Sequence, residues 1–321
     1  MTQYPHDEFF KYLFSLTGVA REFLSAFLPT ELLECMDLDT LAPDDTEYIT
    51  PELASVFSDK VFRCRLKGMP SGKPLTAVVA ILLEHKSFAP AYPHFQLNEY
   101  RQRIWSEAVS KGEKPVAVLP VILYHGKKTW KKQPMAHYFG HLPKPLEPYI
   151  GEFDYWLVDL SKHSDGQLLK LRLGFLAYGL LTMKHSQDKI YLVNQVMVIF
   201  EKGEEFLLTE EGRIFVETLF IYYARIANYR AQDLKDKIIE NMGQTAKRAF
   251  VSTYEQIKLE GKLEGKLEGK LEGKTEQALI VAKNLMLEFP TMSDEQIAKL
   301  TGASKEEIIK LRREAPPRER G

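Results

Sequence analysis

Cysteine is nearly absent: Cys35 and Cys64 are the only two in 321 residues. They stand apart without a CxxC spacing, so neither a disulfide framework nor a zinc finger is indicated. Long apolar runs are missing too. The longest, Val78–Leu83 and Val116–Tyr124, fall well short of the roughly 20 residues of a membrane span and suit buried strands instead. Near the N-terminus, Asp7 and Glu8 stand where a secretion signal needs a basic and then an apolar stretch. Export is therefore not expected, no membrane is involved, and a reducing cytoplasm is the default location. Net charge is close to nil, with 43 Lys and Arg against 44 Asp and Glu. At 45% hydrophobic and 11% aromatic residues, the composition excludes wholesale disorder, a collagen-like repeat and a membrane-embedded body.

The neutral total conceals an asymmetry. Residues 1–60 hold 3 Lys or Arg against 12 Asp or Glu, whereas residues 61–150 hold 14 against 5. Lys127, Lys128, Lys131 and Lys132 are the densest part of this basic middle. Such a stretch attracts phosphate backbones through contacts that depend on salt and ignore sequence. The plainer alternative is a solvated loop beside an acidic neighbour.

Apolar periodicity predicts a helix over 6–28, carried by Phe9, Phe10, Leu13, Phe14, Phe23 and Phe27 and ended by Pro29. Residues 37–53 read as acidic and irregular. Val61–Leu66 and Leu75–Leu83, separated by a Gly/Pro-rich turn, read as a hairpin. A helix is expected over 94–111, then a buried strand at Val116–Tyr124 with Pro120 favouring an edge or bulge, and a further strand at Trp156–Leu160. This order predicts an α/β core with a mixed sheet over 1–160. Residues 161–250 read as a helical extension packed on that core, with Tyr222 and Tyr223 as core aromatics.

Residues 251–289 contain an internal repeat, LEGK four times over 259–274. Leu forms one helical stripe and Gly the opposite one. Each glycine costs a helix about 1 kcal/mol relative to alanine, so the segment is marginal alone. A partner helix would cover the Leu stripe, which makes self-association through this segment one reading and a partly helical spacer the other. The tail, 290–321, is expected to hold two short helices with capping boxes at Ser293–Gln296 and Ser304–Glu307 and a turn at Gly302. That pattern is similar to a helix-turn-helix, or to a plain helical hairpin.

The residues richest in chemistry are Asp59, Glu84 and Lys86. Asp59 precedes the first strand of the hairpin, and Glu84-His85-Lys86 closes the second. Strand alternation puts Glu84 and Lys86 on one face and His85 on the other. Two carboxylates held together ionise comfortably only with a cation between them. Mg²⁺ takes oxygen ligands and retains waters for substrate phosphate, although another divalent cation would serve. A lysine beside it would orient water or stabilise developing charge. The plain alternative for a lone D…ExK is an exposed Glu/Lys pair. On the next helix Gln96 and Tyr100 share a face at i, i+4, and Arg101 and Arg103 lie nearby as candidate phosphate partners alongside Lys127, Lys128, Lys131 and Lys132.

Taken in order, His6-Asp7-Glu8-Phe9-Phe10-Lys11, Phe27-Leu28-Pro29, Ser58-Asp59-Lys60-Val61, Leu82-Leu83-Glu84-His85-Lys86-Ser87, Tyr100 with Ile104-Trp105, and Val121-Ile122-Leu123-Tyr124-His125-Gly126 with Trp130 make the chain resemble a known family. This is the family of Rpn-type recombination-promoting nucleases, also called YhgA-like transposases, over roughly residues 5–250. The resemblance implies a PD-(D/E)xK, restriction-endonuclease-like core and a metal-dependent DNA endonuclease linked to recombination or mobile elements. It implies Asp59 and Glu84 as metal ligands and Lys86 as the catalytic lysine. Many relatives carry Gln at the position of Lys86. Gln96 and Tyr100 resemble the QxxxY element of RecB-like members, and Asp7 resembles an extra acidic residue near the metal. Asp7 also has the simpler reading of a helix N-terminal acid. The alternative function is a DNA-binding accessory protein of transposition or recombination that does not cut.

Overall fold

The computed structural model describes residues 5–44, 60–67, 78–200, 206, 208–228, 230–240, 247, 250–252, 254–255, 258, 275 and 277–314. Asp59 and the LEGK repeat lie outside the described residues. Two compact units, Met1–Phe250 and Val251–Gly321, are treated separately below.

The first unit opens with helices α1 (Pro5–Leu13), α2 (Thr17–Phe27) and α3 (Thr30–Cys35). The single helix expected over 6–28 is thus two. Ser15 Oγ donates to the Tyr12 carbonyl at 2.6 Å, a local bond that competes with helix continuation. The Leu16 carbonyl then accepts from Val19 and Ala20 and starts a new helix. Strand β1 (Met36–Pro43) follows, where the sequence reads as irregular. Of its buried residues, Met36 precedes and Leu41 falls within a register shift against β2 between Asp37 and Ala42. The bulge destroys the alternation by which a strand is recognised.

Strands β2 (Lys60–Leu66) and β3 (Val78–Lys86) pair antiparallel from Lys60↔Leu83 to Arg65↔Val78. Helix α4 (Pro93–Ser110) crosses to β4 (Ala117–Tyr124), which runs parallel to β3. A parallel pair needs such a crossover. β5 (Trp156–Asp159) adds in parallel on the far side of β4, completing a five-stranded mixed sheet in the order β1-β2-β3-β4-β5. β4 is therefore internal rather than an edge. Pro120 is tolerated because β5 joins only from Val121↔Trp156, so at Pro120 β4 pairs with β3 alone.

Among the described residues, five further α-helices complete the unit: α5 (Asp165–Leu168), α6 (Gly174–Lys184), α7 (Lys189–Phe200), α8 (Glu210–Ala227) and α9 (Ala231–Glu240). α1 packs against α6 and α8. Leu176, Leu180, Leu181, Phe215, Tyr222 and Tyr223 are buried. Thr209 caps α8 by accepting from the Gly212 amide. Among the described residues no helix is long and apolar enough to cross a membrane.

In the second unit, α10 (277–288), α11 (Asp294–Thr301) and α12 (Lys305–Glu314) close around Ala282, Ile297 and Ile308. The capping box at Ser293 is formed, and Gly302 ends α11 at φ 78°, a conformation that suits glycine. Helix α10, assigned from sequence to the linker, supplies the third side of this core. Lys305 is paired with Glu295, and Arg312 with Asp294 at 2.6 Å. Two basic side chains of the tail are therefore engaged within the unit.

Candidate functional site

The end of β3 is fixed from both sides. On one side Lys60 pairs with Leu83; Lys60 directly follows Asp59 and Leu83 directly precedes Glu84. On the other side Glu84 takes the rung of Ile122, His85 that of Leu123, and Lys86 that of Tyr124. Lys86 is half-buried. Ile122 and Tyr124 pack with Leu97 and Tyr100 of α4, Trp130 and Tyr155 in one buried cluster. Tyr100 is buried, and Gln96 Nε2 donates to its hydroxyl at 3.4 Å. Gln96 and Tyr100 thus belong to the helix covering the sheet at the rungs shared by Glu84 and Lys86. Among the described residues no group of three or more His, Cys, Asp or Glu could hold a metal ion; Asp59 is outside that set.

His85 belongs to a second constellation. It is buried, and its Nε2 lies 3.1 Å from Asp7 Oδ1 on α1. Its ring is stacked between Phe10 at 4.8 Å and His125 at 5.7 Å. His6 stands 5.0 Å from the His125 ring, and its Nδ1 is 2.8 Å from the Tyr222 hydroxyl on α8. Ser186 Oγ approaches His125 Nδ1 at 3.4 Å. Burial disfavours the charged imidazolium. Helped by the adjacent His85 and opposed by Asp7, it lowers His6 to about 4. Burial, then His85 and His6, hold fully enclosed His125 well below its ordinary value. Asp7, an expected extra acid near the metal, is bonded here to His85.

This histidine network has almost no signature in the sequence, because its members come from α1, β3, the turn after β4, and α8. One local signal does exist. A Cβ on Gly126 would collide with the Tyr124 ring, so the His125-Gly126 turn admits only glycine without displacing that ring. The Tyr124 hydroxyl in turn donates to the Lys128 carbonyl at 2.5 Å. Buried Asp159, at the end of β5, accepts from the Trp130 amide at 3.0 Å and the Ser161 amide at 3.0 Å. These bonds anchor the basic loop to the sheet. A carboxylate closing an apolar strand is a signal that would have marked it.

The six candidate DNA-binding cations separate into two groups. The Arg101 guanidinium lies over Trp105 at 4.7 Å and Phe153 at 4.0 Å, with its pKa lowered by burial. Arg103 pairs with Glu99 at 2.6 Å. Lys132 pairs with Asp154 at 2.5 Å and donates to the Tyr155 carbonyl. Lys127, Lys128 and Lys131 are exposed.

The sequence model of the family described as "Putative transposase, YhgA-like" matches residues 4–210. Three similar proteins come from Escherichia coli (strain K12). "Recombination-promoting nuclease RpnC" is 24% identical over 202 residues, covering 62% of this chain and 65% of RpnC, just under two thirds of its length. "Recombination-promoting nuclease RpnA" is 22% identical over 308 residues, covering 95% of this chain and 96% of RpnA. "Inactive recombination-promoting nuclease-like protein RpnE" is 24% identical over 267 residues, covering 81% and 83%. No solved structure matches.

Proposed function

This chain belongs to the YhgA-like family, and we propose that it is a metal-dependent DNA endonuclease acting in recombination or on mobile elements. The printed names of RpnC and RpnA support the nuclease reading. The order helix, three antiparallel strands, crossover helix, parallel strand supports a PD-(D/E)xK-like core. The observation that carries the proposal is the Lys60↔Leu83 rung. It fixes the start of β2 beside the end of β3; in the sequence Asp59 directly precedes Lys60, and Glu84 directly follows Leu83 with Lys86 two residues on.

The donor set fits magnesium: two carboxylates supply hard oxygen ligands and leave positions for water and phosphate. Asp59 and Glu84 would hold the ion. When bound, it polarises the phosphodiester and lowers the pKa of attacking water. Lys86 would supply a positive charge beside the pentacoordinate phosphorus as negative charge builds on its oxygens. Tyr100, buried and hydrogen-bonded to Gln96, gives that end of α4 a rigid polar surface under the strand. Lys127, Lys128 and Lys131 hold the DNA by charge.

The test is nicking of supercoiled plasmid in Mg²⁺ by the unmodified chain and by Glu84→Ala. Loss of a ligand should slow nicking by orders of magnitude; equal rates contradict the assignment. The name of RpnE favours a second reading, a DNA-binding accessory protein that does not cut. DNA binding that survives Asp59→Ala, with no nicking in any divalent cation, would establish it.

A further inference from the structure

A cavity of about 740 Å³ opens where β4 and β5 end. Its walls come from His125-Gly126-Lys127 after β4, Leu160-Ser161 after β5, and the α6–α7 junction from Lys184 to Ile190. In open α/β sheets the carboxyl ends of parallel strands are where ligands bind. The volume lies within the roughly 300–1,000 Å³ of small-ligand sites. The cavity wall is also joined to the end of β3. The His125 amide donates to the Lys86 carbonyl at 2.9 Å, and Gln187 Nε2 to the Ser87 carbonyl at 3.2 Å.

Its lining is cationic. Lys127 and Lys189 are exposed there, and Lys184 and His185 stand beside them. Lys184 and His185 share Asp165, at 2.6 and 2.9 Å. Asp188 is the one carboxylate among the described lining residues, and it accepts from the Tyr191 amide at 3.0 Å. With Lys184 set against Asp165 and the Asp188 carboxylate counted, Lys127 and Lys189 leave one net positive charge on this wall. The buried His125 presents no charge, and its Nε2 has no hydrogen-bond partner among the described residues. Sites for free nucleotides hold the base in an apolar or aromatic slot. No Phe, Tyr or Trp is among the described lining residues, so the described lining offers no ring on which a base would stack.

We propose that this cavity receives a backbone phosphate of the DNA strand beside the cleaved bond. Lys127 and Lys189 are its charge partners and Ser161 a neutral donor. The inference rests on the nuclease reading for its substrate and extends it to residues outside the Asp59, Glu84 and Lys86 set. Lys189 lies 62 positions from Lys127 in the chain, and only the fold brings the two to one wall.

The experiment uses the full chain, Lys127→Gln/Lys189→Gln, and a control pair, Lys144→Gln/Lys170→Gln, whose exposed lysines lie outside the cavity. Affinity for a fluorescein-labelled DNA duplex is read by anisotropy in EDTA over a series of NaCl concentrations. Each phosphate neutralised contributes about 0.9 to the slope of log K against log salt. Lys127 and Lys189 share one phosphate, so the cavity pair should flatten the slope by about 0.9, and the control pair should leave it unchanged. Equal slopes for the two pairs overturn the proposal.

Inorganic phosphate and a deoxynucleoside monophosphate are titrated as competitors at constant ionic strength. Saturable displacement of the duplex by either one, lost in the cavity pair, would give the cavity to a free ligand and overturn the DNA assignment. A flattened slope in a chain that never nicks plasmid supports the cavity and removes the nuclease reading alone. An unchanged slope with Glu84-dependent nicking removes the cavity alone.

Discussion

Acidification should destabilise this chain through His6 and His125, packed between β3, α1 and α8. His6 is the group whose magnitude can be worked. Burial, aided by His85 and opposed by Asp7, lowers it from 6.5 to about 4. The unfolded chain therefore takes up the proton first. Stability is flat above the unfolded value, falls as pH drops towards the folded value, and levels off below it. A tenfold difference in proton affinity between the folded and unfolded chain is worth about 1.4 kcal/mol. His6 alone therefore removes about 2 kcal/mol between roughly pH 7 and pH 5. His125 acts with the same sign, as do His94 and His163, both lowered first by burial. Asp165 does not enter this window. Hydrogen bonds from Lys184, His185 and Tyr191 outweigh its burial and hold it at about 2, so its contribution is lost only below the ordinary carboxylate range. The assay is urea unfolding followed by tryptophan fluorescence, since Trp130 is buried. His6→Gln keeps a polar group near the Tyr222 hydroxyl and removes the titration. It should lose about 2 kcal/mol less than the unmodified chain between the two pH values. Equal losses would refute the reasoning.

Three more outcomes are expected. Gly126→Ala drives a methyl into the Tyr124 ring; thermal unfolding should show a cost of about 1–3 kcal/mol, typical of overpacking, and an unchanged midpoint would contradict the placement. Arg101→Ala removes a cation stacked over Trp105 and Phe153; denaturant unfolding should show a loss of about 1–2 kcal/mol, with the salt slope of DNA binding unchanged. Deletion of 259–274 should lower the mass seen by light scattering if the Leu stripe of the repeat joins copies of the chain; an unchanged mass rules that role out.

Much of the architecture is legible from local pattern. The β-rich runs around the Gly/Pro turn, the helix at 94–111 and the strands at 116–124 and 156–160 follow from apolar periodicity and breakers, and each has its counterpart in the sheet or on it. β1 is illegible because its bulge separates Met36 from Leu41 by five positions and cancels the period of two. Helix α10 is hidden by the repeat before it, which draws the segment into a linker, although Ala282 lies in the core of the second unit. Charge is visible in a sequence, but its engagement is not. Arg101 reads as a phosphate partner, and only the fold shows Trp105 and Phe153 beneath it. The His85–Asp7 bond and the His6–Tyr222 bond join residues 78 and 216 positions apart, a distance at which no spacing rule operates.

The central claim is that Asp59 and Glu84 act together on one metal ion. It is tested most directly by the Mg²⁺-dependent nicking rates of Asp59→Ala, Glu84→Ala and the double variant. Groups that work together are strongly non-additive, so each single variant should lose orders of magnitude and the double should be no slower than the worse single. Additive losses would show two separate roles, and unaffected rates in either single variant would show that its carboxylate does not hold the ion.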